Sequence, residues 1–307
     1  MLSRPTYDRH FSGIDPAGAE PGDKEGLAAL EEVEEISILC CPDEHAITPA
    51  VTEDLVIQCE TLRDRIAILQ SPEKPLSIDK HRPPVDSKYA AYYYPWLRVY
   101  DGETKEEVLI PPGGHVAGIY ARSDNDRGVH KAPANEPIRG LYTAPDDPAS
   151  GLQVVVPKAQ QDLLNPVGVN VLRYFKGRGP LVWGARTTST DPDWKYVNVR
   201  RLFIYMAKSI ERGTQWVVFE PNEPELWVRV RGVISDFLTT LWKDGMLVGD
   251  TREQAFFVCC DHSTMTQADL ANGKLIVKIG VAPVRPAEFV IFRIGQWQGG
   301  SDVTEGA

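Results

Sequence analysis

The chain has 307 residues, 42% hydrophobic and 25% charged, so it is long enough for one large domain or two modest ones. Its net charge of -10 at pH 7 argues against nucleic-acid binding, because a binder needs Lys and Arg to neutralise phosphates. No apolar run reaches the roughly 20 residues that a membrane span requires, and no apolar segment follows the first residues as it would in a secretory signal.

The first half of the chain predicts a tail followed by alternating strands and helices. Residues 1–32 are rich in Gly, Pro, Glu and Asp and are expected to be a flexible polar tail, with order beginning near Val33. The apolar run 36–41 predicts a buried strand. Thr48-Pro49 is a helix start signal, and apolar residues at helical spacing predict one helix as far as Gln70. A proline-containing loop and an aromatic run then lead to a short strand.

The second half repeats this alternation. Asn222 is expected to cap a long helix that opens at Pro224 and ends at Gly245. A second helix carries apolar residues at helical spacing from Val199 to Ile210 and ends at Gly213. The predicted strands are residues 169–174 and 180–183, which flank a turn at 177–179, then 216–219, 256–260, 275–282 and 288–296.

Strands that alternate with helices predict an α/β class (α+β mixed) built around a mixed sheet, with an extended C-terminal arm strand. The expected division is a flexible polar tail, a first part of the core, a C-terminal domain, and an arm strand with its tail. These parts are residues 1–32, 33–190, 191–285 and 286–307.

The predicted arm strand is apolar on both faces, which is typical of a strand buried in the middle of a sheet. Its residues are Phe289, Val290, Ile291, Phe292, Arg293 and Ile294. Pro283 and Pro286 separate it from the preceding strand, so it either folds back into its own sheet or inserts into a neighbour's. The pattern by itself favours pairing within the chain.

One segment is compatible with enzyme chemistry. An Asn-Glu-Pro triplet after an apolar run is where many retaining glycosidases hold their acid/base carboxylate, which here is Glu223. No second carboxylate at the end of a strand accompanies it, and the chain has too few strand-helix units for an eight-fold barrel. Helix opening at Pro224 is the simpler interpretation.

The five cysteines include the adjacent pairs Cys40-Cys41 and Cys259-Cys260, which lie in apolar runs. They are interpreted as small core residues in a reducing compartment, with a metal site as the alternative, although no CxxC spacing accompanies them. The sequence therefore predicts no catalytic constellation, no metal site and no cofactor.

Several motifs in order along the chain carry a resemblance to a known family. They are residues 92–96 (YYYPW), 111–118 (PPGGHVAG), 127–135 (RGVHKAPAN), 165–170 (NPVGVN), 184–187 (GART), 196–201 (YVNVRR) and 216–224 (WVVFEPNEP). In this order, over roughly residues 33–297, the chain resembles the phage tail sheath family, including the sheaths of extracellular contractile injection systems. It departs from the longer members in that only a polar tail precedes the first strand, so the usual N-terminal arm region is expected to be missing.

The resemblance implies a mechanical subunit and no enzyme activity. Such subunits form helically stacked hexameric rings around an inner tube protein, meet baseplate and terminal cap proteins, and contract to drive the tube into a target. Assembly would be cytoplasmic, in a particle that can be released, with no nucleic-acid or membrane partner. In this family terminal arms donate strands to neighbouring subunits, so the resemblance favours insertion of residues 289–294 into a neighbour.

The long helix after Pro224 is a candidate tube-facing element, with Arg229, Arg231 and Lys243 as candidate contacts. Two alternatives remain beside the sheath: a glycoside hydrolase that uses Glu223, and a non-polymerising adaptor of the same family.

Overall fold

The computed structural model describes residue 11, residues 24–74, 77–144 and 146–289, and the backbone of 296–298 and 301–303. Within these residues the strands are β1 (Ile38–Cys40), β2 (Ile66–Gln70), β3 (Ala90–Tyr94), β4 (Leu97–Tyr100), β5 (Glu107–Ile110), β6 (Glu136–Pro137), β7 (Val169–Phe175), β8 (Gly179–Val182), β9 (Phe256–Cys259), β10 (Lys278–Val281), β11 (Gln296–Gln298) and β12 (Ser301–Val303). The α-helices are α1 (Gly26–Ala29), α2 (Glu44–Ile47), α3 (Ala50–Leu62), α4 (Gly113–Arg127), α5 (Lys158–Leu164), α6 (Val197–Gly213), α7 (Pro224–Lys243), α8 (Arg252–Ala255) and α9 (Gln267–Ala271).

Six strands form one mixed sheet in the order β1-β2-β3-β7-β8-β6. The first four are parallel, with Ile38 opposite Ile66 and Tyr92 opposite Val169, whereas β8 and β6 run antiparallel to their neighbours. Every residue of β2 and β3 is buried, as expected for strands that are covered on both faces. The predicted α/β class with a mixed sheet is confirmed.

Helices cover the two faces of this sheet. α3 packs on one face through Leu55 and Cys59, and α4 packs on the other through Val116 and Tyr120. The Tyr120 hydroxyl lies 2.6 Å from the hydroxyl of Tyr93 on β3, so this buried polar pair joins α4 to the centre of the sheet. Alternation of strand and helix along the chain therefore produces a layered core.

A second core forms from the C-terminal half of the described chain. α6 contributes Leu202 and Met206, α7 contributes apolar side chains along one face, and β9 contributes Phe256. α6 also packs against the six-stranded sheet, with Ile204 in the apolar cluster on one face and Val197 in the cluster on the other. α6 therefore joins the second core to the core around the sheet. In the described part of the chain, no helix is both long and apolar enough to cross a bilayer.

The helix predicted to run as far as Gln70 is shorter than expected. α3 ends at Leu62 because Arg63 adopts a left-handed conformation (φ 59°), and Ile66–Gln70 forms the buried strand β2. A short apolar run fits a buried strand as well as a helix face, so the spacing of Ile66 could not separate the two.

The strand predicted at residues 216–219 is wrong. Residues Gln215–Val217 form a 3-10 turn, and the side chains of Val218 and Phe219 are 64% and 102% exposed. Phe219 also has a left-handed backbone (φ 70°), which is incompatible with a strand. The apolar composition of this segment therefore does not reflect burial within the subunit.

α7 begins at Pro224 as predicted, but Asn222 does not cap it. Glu223 occupies the N-cap position without a side-chain cap. The Asn222 amide accepts a hydrogen bond from Trp227 Nε1 (2.8 Å) and donates one to the carbonyl of Lys274 (3.0 Å). Asn222 thus joins the start of α7 to the segment that precedes β10.

The predicted end strands differ in extent from those observed. β9 lies within predicted 256–260, whereas β10 covers only Lys278–Val281 of predicted 275–282. Glu288 and Phe289 are described and are not in a strand, and residues 290–294 of the predicted arm strand lie outside the described residues. Helical turns begin at Gly26, with Leu27 buried, so regular structure starts before Val33.

Candidate functional site: the arm root and the α7 face

The arm root, residues 283–289, is the last part of the chain whose side chains the structure describes before the predicted arm strand. Phe289, the first of the six arm-strand residues 289–294, is 67% exposed. Immediately before it, Glu288 turns inward, and its side chain is only 16% exposed. Glu288 is therefore a residue through which this segment contacts the rest of the chain.

The carboxylate of Glu288 accepts hydrogen bonds from several distant segments, and we call these residues the Glu288 cluster. Oε1 accepts from Arg186 Nε (2.6 Å) and Asn165 Nδ2 (2.7 Å). Oε2 accepts from Arg186 Nη2 (2.7 Å) and the Tyr196 hydroxyl (3.0 Å), with Lys195 Nζ at 3.3 Å. A bidentate Arg–carboxylate pair with further donors is a strong, directional arrangement.

The electrostatics of the cluster favour the ionised carboxylate. Burial raises the pKa of Glu288, but hydrogen bonds from Arg186 and Asn165, together with the charges of Arg186 and Lys195, outweigh it and hold the pKa at about 2. Glu288 is therefore ionised throughout the physiological pH range.

Arg186 is itself fixed to the central sheet. Its backbone N–H donates to Asn170 Oδ1 (2.7 Å), and Asn170 Nδ2 donates to the Arg186 carbonyl (2.7 Å). Asn170 lies on β7 and is fully buried. The Glu288 cluster is thus connected to an interior strand of the six-stranded sheet.

The candidate tube contacts do not all lie on one face of α7. Arg229 and Lys243 are exposed and share a stripe with Gly232, Val233 and Asp236. Arg231 lies on another side of the helix, half-buried, with Nη1 3.4 Å from the carbonyl of Cys260.

Arg229 is also engaged within the subunit. Its guanidinium lies 4.6 Å from the ring centroid of Trp216 and 3.9 Å from a carboxylate oxygen of Glu220. Of the three candidates, Arg229 and Lys243 lie on the same exposed face of α7, about four turns apart, and Arg231 lies on a different side.

A short two-stranded sheet near the arm root was not recognised as a site from the sequence. β9 and β10 pair only with each other among the described strands, so each has one free edge. Phe257 on β9 is 60% exposed, and its ring lies across Gly280 of β10, where an added Cβ would be 2.1 Å from Phe257 Cε1. Ile279 is 37% exposed. The two adjacent phenylalanines at 256–257 could have indicated an exposed aromatic side chain, because successive residues of a strand face opposite sides of the sheet.

The features considered for catalysis or metal binding do not assemble a site in the described part of the chain. Glu223 is exposed at the start of α7 and does not line the cleft of about 530 Å³ beside α6. No group of three His, Cys, Asp or Glu residues is placed to hold a metal among the described residues. The cysteines are free, and burial raises the pKa of the Cys59 thiol to about 12.

Comparison with known proteins adds independent findings. The family description "Phage tail sheath protein central domain" matches residues 19–188, and "Phage tail sheath C-terminal domain" matches residues 189–296. A putative prophage major tail sheath protein of Pseudomonas aeruginosa (strain UCBPP-PA14) is 27% identical over 304 residues, which cover 95% of this chain and 75% of that protein. The tail sheath protein of Burkholderia phage BcepMu is 28% identical over 202 residues, which cover 64% of this chain and 40% of that protein.

Three solved structures have a similar fold. A chain of the anti-feeding prophage baseplate matches with a TM-score of 0.78 and 36% identity, covering 89% of this chain and 72% of its own. The anti-feeding prophage helical sheath in the contracted state matches with a TM-score of 0.75 and 36% identity, covering 91% of this chain and 76% of its own. The contracted PVC sheath complex of an extracellular contractile injection system matches with a TM-score of 0.75 and 33% identity, covering 89% of this chain and 75% of its own. The chain therefore belongs to the phage tail sheath family and is a contractile sheath subunit.

Proposed function

We propose that this chain polymerises into helically stacked hexameric rings around an inner tube, and that contraction of this sheath drives the tube into a target. The observation that carries the proposal is the match of 91% of the chain to a helical sheath in the contracted state, at 36% identity. Identical subunits in head-to-tail contact generate rings and filaments, which suits this role. We infer cytoplasmic assembly, baseplate and terminal cap proteins at the two ends, and a particle that can be released from the cell.

Contraction needs no enzyme activity on this proposal. The extended sheath is a metastable packing of subunits, and contacts that form only in the contracted lattice supply the work. The match to the tail sheath central domain is the support for this mechanical role.

The arm strand is proposed to link neighbouring subunits. A segment that is apolar on both faces is stable only when both faces are covered, and insertion into a neighbouring sheet achieves this while supplying backbone hydrogen bonds. The free edges of β9 and β10 are the proposed acceptor, because the exposed side chain of Phe257 offers an apolar surface on the outer face beside them. Ile279 pairs with Val258 and lies on the other face of this sheet.

The exposed face of α7 is proposed to contact the inner tube through Arg229 and Lys243, with Arg231 as a less accessible third residue. The two exposed cations lie fourteen residues apart on one face, about 21 Å along the helix. Charge reversal at both, Arg229→Glu with Lys243→Glu, is expected to reduce co-sedimentation of tube protein with assembled sheath. Unchanged co-sedimentation would remove α7 from the tube interface.

Negative-stain microscopy of the purified full chain tests polymerisation. We expect hollow tubes with a regular surface pattern, and their loss when residues 289–307 are deleted. Deletion of 304–307 is the matched control and should leave tubes intact, since it spares the predicted strand. Persistent monomers of the full chain would refute polymerisation by this chain alone.

The two alternatives give different results in the same preparation. A non-polymerising adaptor would remain monomeric and bind a baseplate, which is the setting of one structural relative. No comparison supports the glycoside hydrolase alternative, which requires loss of activity in the Glu223→Gln variant, whereas a sheath subunit carrying this exposed change should still form tubes.

A further inference from the structure

The Glu288 cluster joins the end of the described chain to segments that are far away in sequence. Glu288 is 123 residues from Asn165, 102 from Arg186 and 92 from Tyr196. Asn165 and Arg186 lie in the region matched by the central-domain description, whereas Tyr196 and Glu288 lie in the region matched by the C-terminal one. One carboxylate therefore ties the arm root to both regions.

The other contacts of the arm root are weaker. Val284 N–H donates to the Met246 carbonyl at 3.3 Å, and Asn198 Nδ2 donates to the Val284 carbonyl at 3.2 Å. The pair of Arg285 with Asp193 has side chains that are 56% and 79% exposed, so water and salt screen it. Glu288 is both the strongest contact of the root and the one nearest to the arm.

Position along the chain decides which contact bears load. A pull on the chain beyond residue 289 reaches Glu288 before it reaches Arg285 or Val284. From Glu288 the load passes through the bidentate pair to Arg186, and from the Arg186 backbone through two 2.7 Å hydrogen bonds to Asn170 on β7. β7 is an interior strand, hydrogen-bonded to β3 and β8.

We propose that Glu288 is the force-bearing anchor of the C-terminal arm, so that tension on the arm enters the six-stranded sheet through Arg186 and Asn170. This role rests on the proposed function, in which neighbouring subunits pull on each other's arms. The anchor then fixes the point at which the arm leaves the folded part of its own subunit while the subunits change their packing.

Single-molecule pulling on the isolated full chain tests the anchor. One handle is inserted at Gly177, in the turn between β7 and β8, and the other is fused after Ala307, so the load runs from the central sheet through the root. A second pair of handles, at Gly177 and at Gly273, loads the chain without passing through Glu288. An added Cβ at Gly177 or Gly273 would meet nothing within 4 Å, so there is space around both turns. Each handle is inserted beside the glycine, which is itself kept because its φ is positive (81° and 68°).

The Glu288→Gln variant is expected to shorten the lifetime of the root at constant force by about 10- to 100-fold in the first geometry. The basis is the pKa of about 2 for Glu288 against an ordinary 4.5. This difference means that the cluster stabilises the ionised carboxylate relative to the neutral one by a factor of more than about 100. Arg285→Gln is the matched control from the same segment and should change the lifetime by less than about twofold, as screened surface pairs contribute little.

Comparison of the two geometries separates an anchor from a general effect on stability. If Glu288→Gln shortens the lifetime only when the handle lies after Ala307, Glu288 bears the load. Equal shortening in both geometries, or no shortening in the first, would overturn the proposal. Since this measurement uses single chains, a failure to form tubes under the microscope would count against the proposed polymerisation and leave the result on Glu288 standing.

Discussion

Gly113 is the residue of the Pro-Pro-Gly-Gly motif whose replacement we expect to be most damaging. It is the first residue of α4, and an added Cβ would lie 2.3 Å from Cys40 Sγ and 2.6 Å from Gln70 Oε1. Its N–H donates to the same Gln70 Oε1 at 2.8 Å, so the side chain of Gln70 binds a free amide at the start of α4. Gly113→Ala therefore has two effects: the added methyl group collides with Cys40 and Gln70, and it displaces Gln70 Oε1 as the acceptor for the N–H of residue 113.

The cost follows from these two effects. Overpacking a filled core costs about 1–3 kcal/mol, and a buried donor that loses its acceptor costs about 1–3 kcal/mol more. Together they give about 2–6 kcal/mol, against a total stability of about 5–15 kcal/mol for a typical domain. The Gln70 amide cannot move freely, because its Nε2 also donates to the Cys41 carbonyl at 2.7 Å.

Urea unfolding of purified chains measures this difference, and Gly114→Ala is the matched control. Gly114 is exposed, and an added Cβ there would meet nothing within 4 Å, so alanine should be neutral or stabilise α4 by about 0.5 kcal/mol. If Gly113→Ala lowers the free energy of unfolding no more than Gly114→Ala does, the close approach of Cys40 and Gln70 does not determine stability and the reasoning fails.

Three further changes have defined outcomes in unfolding measurements. Glu288→Gln should cost about 3 kcal/mol at pH 7, because the folded pKa is about 2 against an ordinary 4.5. Since that stability is lost as pH falls from about 4.5 towards 2, the gap to wild type should shrink by about 1.4 kcal/mol at pH 3.5, and a constant gap would contradict it. Burial raises the pKa of Glu44, so the contribution of Glu44 to stability should fall as pH rises above 4.5, and the stability of wild type relative to Glu44→Gln should fall with it; an equal pH dependence in both proteins would refute the assignment. Phe219→Asn should leave stability unchanged or raise it by up to about 1 kcal/mol, because the ring is fully exposed and Asn tolerates a left-handed backbone; a loss above about 1 kcal/mol would show that the ring packs.

Elements with a single interpretation of their pattern were predictable from the sequence. The hairpin of β7 and β8 combines strand-forming residues with a Gly-Arg-Gly turn, and α7 combines Pro224 with apolar residues at helical spacing. In both cases local preference and tertiary burial agree, so the pattern determines the element.

Prediction failed where burial did not follow from apolar composition. Residues 216–219 are as apolar as a core strand, yet Phe219 is fully exposed, since nothing in the local sequence records whether a surface is covered by the same chain. Ile66 and Leu69 fit a helical period and lie in β2, because the left-handed residue Arg63 ends α3 before them.

Hydrophobic periodicity does not reveal polar contacts between residues that are far apart in sequence. Such contacts explain why the motifs indicated the family when periodicity did not. Glu288 lies in a proline-rich segment with no periodicity, and its role depends on Arg186, 102 residues away. Gly184 must be small because an added Cβ would lie 2.9 Å from Asn170 Cα, the residue that holds Arg186. Gly113 must be small because of Gln70, 43 residues away. Both glycines belong to the motifs that carried the family resemblance. A motif residue thus records a tertiary contact that the local pattern does not contain, which is why the resemblance could indicate the function while the periodicity indicated only the fold class.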